Sequence, residues 1–334
     1  MRGDPVVGAI VASTTIAAMS DAAHLLIPHA ACSADGCRER LASLRLPHLE
    51  RLLAAMAPAQ LEAGDERTLS MPHERVLARE CGLNAPDGLL PFAAWEAMQG
   101  GVDTGGRAWA WVTPCHWRVG ADHVFMHHPQ ELDLDAAESQ ALLAAMRPYF
   151  EQDGLQLAFE APTRWLASGP LFGQVPCASL DRVVGRVIDE WMPRGDAGKS
   201  LRRLQQEMQM LLYTHPVNEE RAAGGQLPVN SFWVSGNGAL PAGHASTPPP
   251  ELRITHYLRD AALRQDWAGW ASGWQQIDER ECARLQQAAA AGQPVAVTLC
   301  GERQARTWRS TGSGWRRLAA AFSRRRAADW LDEL

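Results

Sequence analysis

Lysine is almost absent from this sequence, and so are long apolar runs. Lys199 is the only lysine among the 32 lysines and arginines, so the basic side chains are arginines almost throughout. No apolar run reaches the ~18 residues that a membrane-spanning helix needs. The net charge of −6 argues against non-specific binding to nucleic acid or to an anionic membrane surface. We therefore expect no nucleic acid and no membrane as a partner.

Cysteine is scarce and irregularly spaced. The seven cysteines are an odd number, and only Cys32 and Cys37 lie close together, with four residues between them. No second pair is present to complete a zinc site of the usual spacing. This usage predicts reduced thiols in a cytoplasmic protein.

The remaining composition is that of an ordinary globular protein. With 46% hydrophobic and 21% charged residues, the 334-residue chain predicts one large domain or two average ones. Residues 1–19 make a poor signal peptide, because Asp4 lies where basic residues belong and hydroxyl residues interrupt the apolar stretch. Met19 is as good a start as Met1, so we expect 1–19 to be disordered or an over-extended N-terminus.

Strands and helices alternate along the chain, which favours an α/β fold. Apolar or alternating runs predict strands at 24–27, 108–112, 123–126, 155–159, 164–167, 227–234 and 295–299. Helical spacing and N-terminal signals predict helices that begin at 47 and 70 or cover 135–150, 180–191, 201–213 and 316–334. The strand at 227–234 is expected to end at Gly236-Asn237-Gly238.

Four histidines fall within thirteen residues, at positions 116, 123, 127 and 128. No pair of them has the helical i, i+4 spacing backed by a glutamate, and no cysteine is suitably spaced for a shared zinc ion. Histidines that are exposed or hydrogen-bonded within the fold are therefore favoured over a metal site here.

Three tryptophans recur at helical spacing near the end of the chain. Trp267, Trp270 and Trp274 follow an i, i+3, i+7 pattern, which places three indoles on one face of a helix. Such a face packs into a core, or it forms a surface for a protein partner or a flat ligand. Both interpretations stay open from the sequence.

The segment from Tyr213 to Pro241 carries the clearest functional signal. Asn218 and Arg221 lie three residues apart after a proline turn, a polar fork that suits a carboxylate or a phosphate. Asn230 precedes a predicted strand, and the paired glycines after that strand permit close approach of a ligand to the backbone. In α/β sheets, ligands gather at the carboxyl ends of strands.

This segment resembles the archaeal-type cofactor-independent phosphoglycerate mutases of the alkaline phosphatase superfamily. That family has a His-Pro-x-Asn-x-x-Arg stretch, then Gly, Ala-Asn, an apolar strand with Trp, and Gly-x-Gly. The matching residues here are His215, Pro216, Asn218, Arg221, Gly225, Asn230, Trp233, Gly236 and Gly238. Weaker similarities cover residues 46–54 and 138–167. From about Asp21, the chain resembles proteobacterial proteins labelled either as such mutases or as Rpf-type regulatory proteins.

The resemblance implies both a fold and a binding site. The fold would be α/β, with a reduced alkaline-phosphatase-like core at residues 20–118 and 226–334. A smaller inserted α+β domain would occupy 119–225. The ligand site would use Asn218, Arg221, Asn230, Trp233, Gly236 and Gly238, with Arg164 bordering the inserted domain.

The departures from the family motif concern its metal ions. The family transfers a phosphoryl group with two metals, and the first ligand is expected in an Asp-Gly directly after the opening strand. Here that strand is followed by Pro28-His29, and Asp35-Gly36 comes only later. The late Asp-x-x-x-His and Asp-His-x-Thr motifs have no counterpart, and Ser70 is better explained as a helix cap than as a nucleophile. We therefore predict no catalytic residues, no metal and no cofactor.

These observations predict a catalytically degenerate mutase relative in a regulatory role. It would bind a phosphorylated or carboxylate metabolite through Arg164 and Arg221, or a protein partner through Trp267, Trp270 and Trp274. The alternative is an active metal-dependent phosphoglycerate mutase or phosphohydrolase with rearranged ligands.

Overall fold

The computed structural model describes residues 24–241, 243–244, 252–310 and 325–334. The prediction for residues 1–19 and the first part of the helix predicted at 316–334 lie outside the described residues. Within these ranges, no helix has the length and apolar character to cross a membrane.

Helices and strands alternate over most of the described chain. The helices are α1 (Asp35–Ser43), α2 (Pro47–Ala55), α3 (Pro72–Glu80), α4 (Phe92–Gln99), α5 (Ala136–Gln152), α6 (Leu180–Val183), α7 (Ala197–Tyr213), α8 (Pro216–Ala223), α9 (Arg259–Leu263), α10 (Trp267–Gln276), α11 (Ala283–Ala290) and α12 (Ala327–Leu331). The strands are β1 (His24–Ile27), β2 (Met56–Glu62), β3 (Ala108–Cys115), β4 (Trp117–Val119), β5 (Val124–Met126), β6 (Gln156–Ala161), β7 (Arg164–Ser168), β8 (Ser231–Ala239), β9 (Leu252–Ile254), β10 (Ala296–Cys300) and β11 (Ala305–Ser310). The predicted α/β class is confirmed.

The strands form two main sheets. The first has the order β2-β11-β10-β1-β9, in which β1 runs parallel to β10 and to β9. The second is antiparallel, with the order β6-β7-β3-β8, and β4 and β5 form a separate ribbon. The predicted hairpin at 155–167 is confirmed as β6 and β7. Strands β3 and β8, which flank the predicted insertion, belong to the second sheet, and the domain boundaries themselves stay a prediction.

β1 is apolar at successive residues because helices cover both of its faces. Leu25 and Ile27 point to a core shared with α1, α2, α10 and α11, whereas Leu26 packs with Val76 of α3 on the other face. Side chains alternate between the two faces of a strand, so a strand buried on both sides needs an unbroken apolar run. This explains why the run at residues 24–27 is visible in the sequence.

The second sheet packs against α5 and α7. Val112 and Trp165 of the sheet share a core with Phe150 of α5 and Met208 of α7. Helix α5 begins with a capping box in which Asp135 and Glu138 exchange hydrogen bonds with each other's backbone N–H. The predicted helix at 135–150 is confirmed within two residues at its ends.

The helix predicted at 180–191 is wrong beyond its first turn. Helix α6 ends at Val183, and Gly185 adopts a left-handed backbone with φ 71°. The residues that follow bridge to β5 instead of continuing the helix. Ser70 is not the cap of α3 either. Met71 is its N-cap residue, and the Ser70 hydroxyl accepts a hydrogen bond from the backbone of Gly88.

The strand predicted at 227–234 is shifted toward the C-terminus. β8 begins at Ser231 and continues through Gly236 and Gly238, so the paired glycines lie inside a strand rather than after one. Gly236 has φ 60°, and a Cβ atom there would lie 2.5 Å from the Trp111 ring of β3. The pairing register of β3 with β8 shifts at this point, which is typical of a bulge. Gly236 therefore allows β8 to pack closely on Trp111, and a ligand-binding role for Gly236 and Gly238 stays a prediction.

A buried imidazole connects three strands of the first sheet. His24 Nε2 lies 2.7 Å from Thr298 Oγ1, which in turn lies 2.7 Å from Thr307 Oγ1. The three residues belong to β1, β10 and β11. Burial lowers the pKa of His24 below its ordinary value of 6.5.

We predict that His24 makes the fold sensitive to acid. Below pH 6.5 the unfolded chain binds a proton on this imidazole that the folded chain does not yet take up. Its contribution to stability is therefore complete above pH 6.5 and decreases as the pH falls, by at most about 1.4 kcal/mol per pH unit. Denaturant unfolding at pH 7.5 and 5.5 should show wild type losing more stability than His24→Gln, whereas exposed His123→Gln should follow wild type. Equal losses for wild type and His24→Gln would contradict this assignment.

Candidate functional site

Two histidines and an aspartate meet at the carboxyl end of β1. His29 follows this strand by two residues, and its Nε2 lies 3.0 Å from Asp181 Oδ2. His73, at the start of α3, places its Nε2 3.9 Å from the same oxygen. One candidate ligand atom from each residue lies within 4.8 Å of the others. Side chains from three distant parts of the chain thus form one cluster at the edge where α/β proteins bind ligands.

Two buried tryptophans hold the backbone that presents His29. The φ of His29 is 55°, in the left-handed region that residues other than glycine rarely adopt. Trp270 Nε1 donates to the His29 carbonyl at 2.9 Å, and Trp274 Nε1 donates to the Ala30 carbonyl at 3.2 Å. The Ala30 N–H donates to Cys300 in β10 at 2.7 Å. Such strained backbone persists where its surroundings fix it.

The cluster carries its own cation. Arg259 donates from Nε to both Asp181 oxygens at 3.0 Å and from Nη2 to Oδ1 at 2.6 Å. Burial alone would raise the pKa of Asp181, but the hydrogen bond from His29 and the charge of Arg259 hold it well below its usual range. Asp181 is therefore ionised and already paired at any working pH.

The neighbouring titratable groups are shifted mainly by burial. Burial and the adjacent His29 lower the pKa of His73 to about 3, so this imidazole is neutral. Burial raises the pKa of Glu74 to about 7, although its carboxylate accepts hydrogen bonds from Ser179 Oγ and the Met71 N–H. Two shifted groups side by side are typical of functional sites, although structural networks produce them too.

The cluster does not fit a two-metal centre. Its donor set is two imidazoles and one carboxylate, and it is the one such group of three found among the described residues. Two ions that clamp the oxygens of a phosphoryl transfer would need more ligands than these three residues provide. Both oxygens of Asp181 are also hydrogen-bonded to Arg259, so even one ion would have to displace the guanidinium.

A cleft lies beside this cluster, between the β4–β5 ribbon and the end of α9. Its volume is about 320 Å³, and its lining includes Arg118, His128, Arg264 and the carboxylate of Glu131, which pairs with His127. His128 is 4% exposed, and neither of its ring nitrogens has a hydrogen-bond partner within the described chain. Burial lowers the pKa of His128, and the charges of Arg264 and Arg259 lower it further. Arg259, which pairs with Asp181 in the cluster, therefore also acts through its charge on His128 in the cleft.

The sequence-predicted residues Asn218 and Arg221 both bind the segment that precedes β8. The Asn218 side chain donates to the Leu212 and Val229 carbonyls and accepts from the Val229 N–H. Arg221 is buried, donates to the Leu227 carbonyl at 2.9 Å and pairs with Glu138 at 2.6 Å. The polar fork is thus satisfied by the chain itself.

Asn230 and Trp233 have similar roles on the other side of this segment. Asn230 Oδ1 accepts from the Trp117 N–H at 2.7 Å, and its Nδ2 donates to the Trp117 carbonyl at 2.9 Å. Trp233 is buried, packs edge-on against Trp117 and donates to the Ala178 carbonyl at 2.9 Å. A ligand-binding role for Asn218, Arg221, Asn230 and Trp233 stays a prediction.

Arg164 and Gly236 meet at one indole. The Arg164 guanidinium lies 5.4 Å from the centre of the Trp111 ring, against which Gly236 also packs. Arg164 further pairs with Glu96 at 3.1 Å and Glu160 at 2.7 Å. This arginine is partly exposed, and its part in binding an anion stays a prediction.

The tryptophan face of α10 is mostly internal. Trp270 and Trp274 are fully buried, and Trp267 is half-buried against Trp270. Core packing therefore explains two of the three indoles. A protein partner at this face would reach Trp267 alone and stays a prediction.

Sequence reasoning did not assign the cluster, although one signal was present. His29 lies two residues after the opening strand, near the place where the resemblance implies the family's first metal ligand. His73 and Asp181 had no local signal, because they are 44 and 152 residues away from His29 (73 − 29 and 181 − 29) and meet it only in the fold.

Comparison with known proteins supports the resemblance over part of the chain. No protein-family model matches. The 2,3-bisphosphoglycerate-independent phosphoglycerate mutase of Methanosarcina mazei is 34% identical over 76 residues, which are 23% of this chain and 19% of that protein. The mutase of the same name from Methanothrix thermoacetophila is 28% identical over 106 residues, which are 30% and 26% of the two chains. The chain thus spans about a quarter or less of the length of these curated relatives.

Two solved structures are similar over most of the chain. The cofactor-independent phosphoglycerate mutase from Thermoplasma acidophilum has 13% identity and a TM-score of 0.36, covering 93% of this chain and 98% of that one. The PH0037 protein from Pyrococcus horikoshii has 12% identity and a TM-score of 0.41, covering 87% and 88%.

We predict that Arg259 and Asp181 are energetically coupled. Arg259→Ala leaves a carboxylate buried without its guanidinium, which should lower the free energy of unfolding by about 3 kcal/mol. The double variant with Arg259→Ala and Asp181→Asn should lose much less stability than the two single variants lose together. The difference, which is the coupling energy, should exceed ~1.5 kcal/mol. Arg164→Ala is the matched control, since it also breaks two ion pairs but at the surface, and should cost under ~1 kcal/mol. Additive single changes would show that the pair does not stabilise the fold.

Proposed function

We propose that this chain is a catalytically degenerate relative of the cofactor-independent phosphoglycerate mutases that binds a small anion in a regulatory role. Two features support the loss of catalysis. The opening strand is followed by Pro28-His29 rather than by the Asp-Gly that the resemblance implies, and the single carboxylate of the cluster, Asp181, is bound by Arg259. The guanidinium thus occupies the carboxylate that a metal ion would need. The resemblance to Rpf-type proteins is the basis for the regulatory role.

The anion is proposed to bind in the cleft of Arg118, His128 and Arg264. The observation that carries this proposal is His128, whose two ring nitrogens are buried without a partner among the described residues. A buried polar group left unpaired costs about 1–3 kcal/mol, so a ligand that accepts a hydrogen bond from the imidazole N–H would be favoured. An oxyanion meets this need.

Two arginines supply the charge for such a ligand. Within the described chain, neither Arg118 nor Arg264 forms an ion pair with a carboxylate, whereas Arg164, Arg221 and Arg259 all do. Guanidinium groups bind carboxylates and phosphates through paired hydrogen bonds and stay charged at any working pH. A volume of about 320 Å³ is at the lower end for ligand pockets and suits a phosphorylated or carboxylate metabolite.

We predict that Arg264→Ala weakens anion binding in the cleft. Thermal shift and calorimetry should be run with inorganic phosphate, 3-phosphoglycerate and citrate. At 100 times its Kd a ligand adds about 2.7 kcal/mol of stability, so the melting temperature of wild type should rise by several degrees with one of these anions. Arg264→Ala should weaken binding at least tenfold.

Arg164→Ala serves as the control for this experiment, because it removes an exposed arginine outside the cleft. If Arg164→Ala removes the shift and Arg264→Ala does not, the anion binds at the site predicted from the sequence motif. If no anion shifts the melting temperature of wild type, the anion-binding function is wrong.

We also predict that the protein does not interconvert 3- and 2-phosphoglycerate. The purified chain with added Mn²⁺ should show no turnover under conditions in which the Methanosarcina mazei mutase, assayed in parallel, is active. Elemental analysis should find less than one equivalent of bound manganese or zinc, because Arg259 occupies the carboxylate. Turnover together with two equivalents of metal would establish the alternative, an active enzyme with rearranged ligands.

A further inference from the structure

One pair of thiols differs from the other cysteines of this chain. All seven cysteines lie among the described residues, and Cys32 is the single one that is not fully buried. It lies in the turn between β1 and α1, and its neighbour Cys37 is the third residue of α1. The other five cysteines are dispersed through the packed interior.

The two thiols face each other and a shared opening. The interaction between the two side chains is the largest influence on the pKa of each thiol. Both line a cavity of about 780 Å³, whose wall also includes Ser33, Arg38 and Glu302. A small oxidant can therefore enter the cavity that both residues line, where Cys32 is the more exposed of the two.

The environment favours a thiolate at Cys37 only, because the interaction with Cys37 and burial raise the pKa of Cys32 well above its usual range. The hydrogen bond from Cys32 lowers the pKa of Cys37, although burial opposes it, and the nearby Arg38 contributes in the same direction as the hydrogen bond. Helix N-termini stabilise thiolates generally. In contrast, burial raises the pKa of Cys81 to about 11 and that of Cys177 to about 12.

From this juxtaposition we propose that Cys32 and Cys37 are a redox-active pair that forms a reversible intramolecular disulfide, with hydrogen peroxide as the oxidant. The Cys37 thiolate attacks a peroxide oxygen, the O–O bond breaks, and a sulfenic acid and hydroxide result. The hydroxide takes the thiol proton of Cys32 and becomes water, and the Cys32 sulfur then displaces the sulfenic oxygen as hydroxide while the S–S bond forms. The pair loses two electrons and one proton, hydrogen peroxide is reduced to one water and one hydroxide, and an added dithiol reverses the change by thiol–disulfide exchange.

The bond would close a loop that includes Ser33. The Ser33 N–H and hydroxyl both donate to Glu302 beyond β10, at 2.9 and 2.6 Å, and the Ser33 carbonyl accepts from Arg38. This loop begins three residues after His29. Oxidation would thus lock the turn that leaves the His29 cluster, independently of whether the proposed anion binds.

The experiment counts free thiols in the folded, full-length protein. Wild type is treated with hydrogen peroxide, denatured, alkylated and analysed by mass spectrometry. The alkylated thiols should fall from seven to five, a peptide pair linking Cys32 to Cys37 should appear, and dithiothreitol should restore all seven. Cys81→Ser should behave in the same way, falling from six thiols to four.

The Cys32→Ser and Cys37→Ser variants should form no intramolecular link under the same conditions. Cys32 is partly exposed, so its serine variant is expected to fold, and circular dichroism will verify this before oxidation. If wild type keeps seven thiols, if oxidation stops at sulfinic acid on one sulfur, or if the linked pair contains another cysteine, the proposal is wrong.

Discussion

The candidate site depends on one ion pair, between Asp181 and Arg259, with the imidazole of His29 on the same carboxylate. This contact joins α6, α9 and the turn after β1, which are separated by 78 and 152 residues along the chain. Burying a carboxylate without hydrogen-bond donors or a counter-ion lowers the stability of the fold. Asp181 can therefore occupy this position only with the donors from His29 and Arg259 in place. Trp270 and Trp274 of α10 stabilise this arrangement, because they hydrogen-bond the carbonyls of His29 and Ala30 and so fix the left-handed backbone of His29.

The same pairing decides what chemistry this edge can support. A carboxylate that binds a divalent ion needs a free lone pair, whereas the two oxygens of Asp181 already have four hydrogen-bond contacts, three with Arg259 and one with His29. The charge at the edge is therefore balanced within the protein. The ring nitrogens of His128, in the neighbouring cleft, have no hydrogen-bond partner among the described residues. Arg118 and Arg264 line the same cleft. This is why the proposed function is binding rather than catalysis.

Several elements could be predicted from the sequence because their signals are local. The apolar run at residues 24–27 predicted β1, and Pro47 predicted the start of α2. The alternating tryptophans predicted part of β3. The predicted resemblance to the mutases is confirmed over part of the chain, and the site role of the motif from Asn218 to Gly238 stays a prediction. Its residues in this chain bind backbone and acidic side chains, and the glycines lie within β8, because that strand starts four residues later than predicted.

The sequence by itself determined the α/β class, most element positions and the closeness of Cys32 and Cys37 along the chain. These features are set by periodicity, residue type and short spacing, which act over a few residues. Only the tertiary structure decided that His73, Asp181 and Arg259 surround His29, and that His128 is buried without a partner. The physical reason is that these properties depend on burial and on contacts between residues far apart in the chain, which no local pattern encodes.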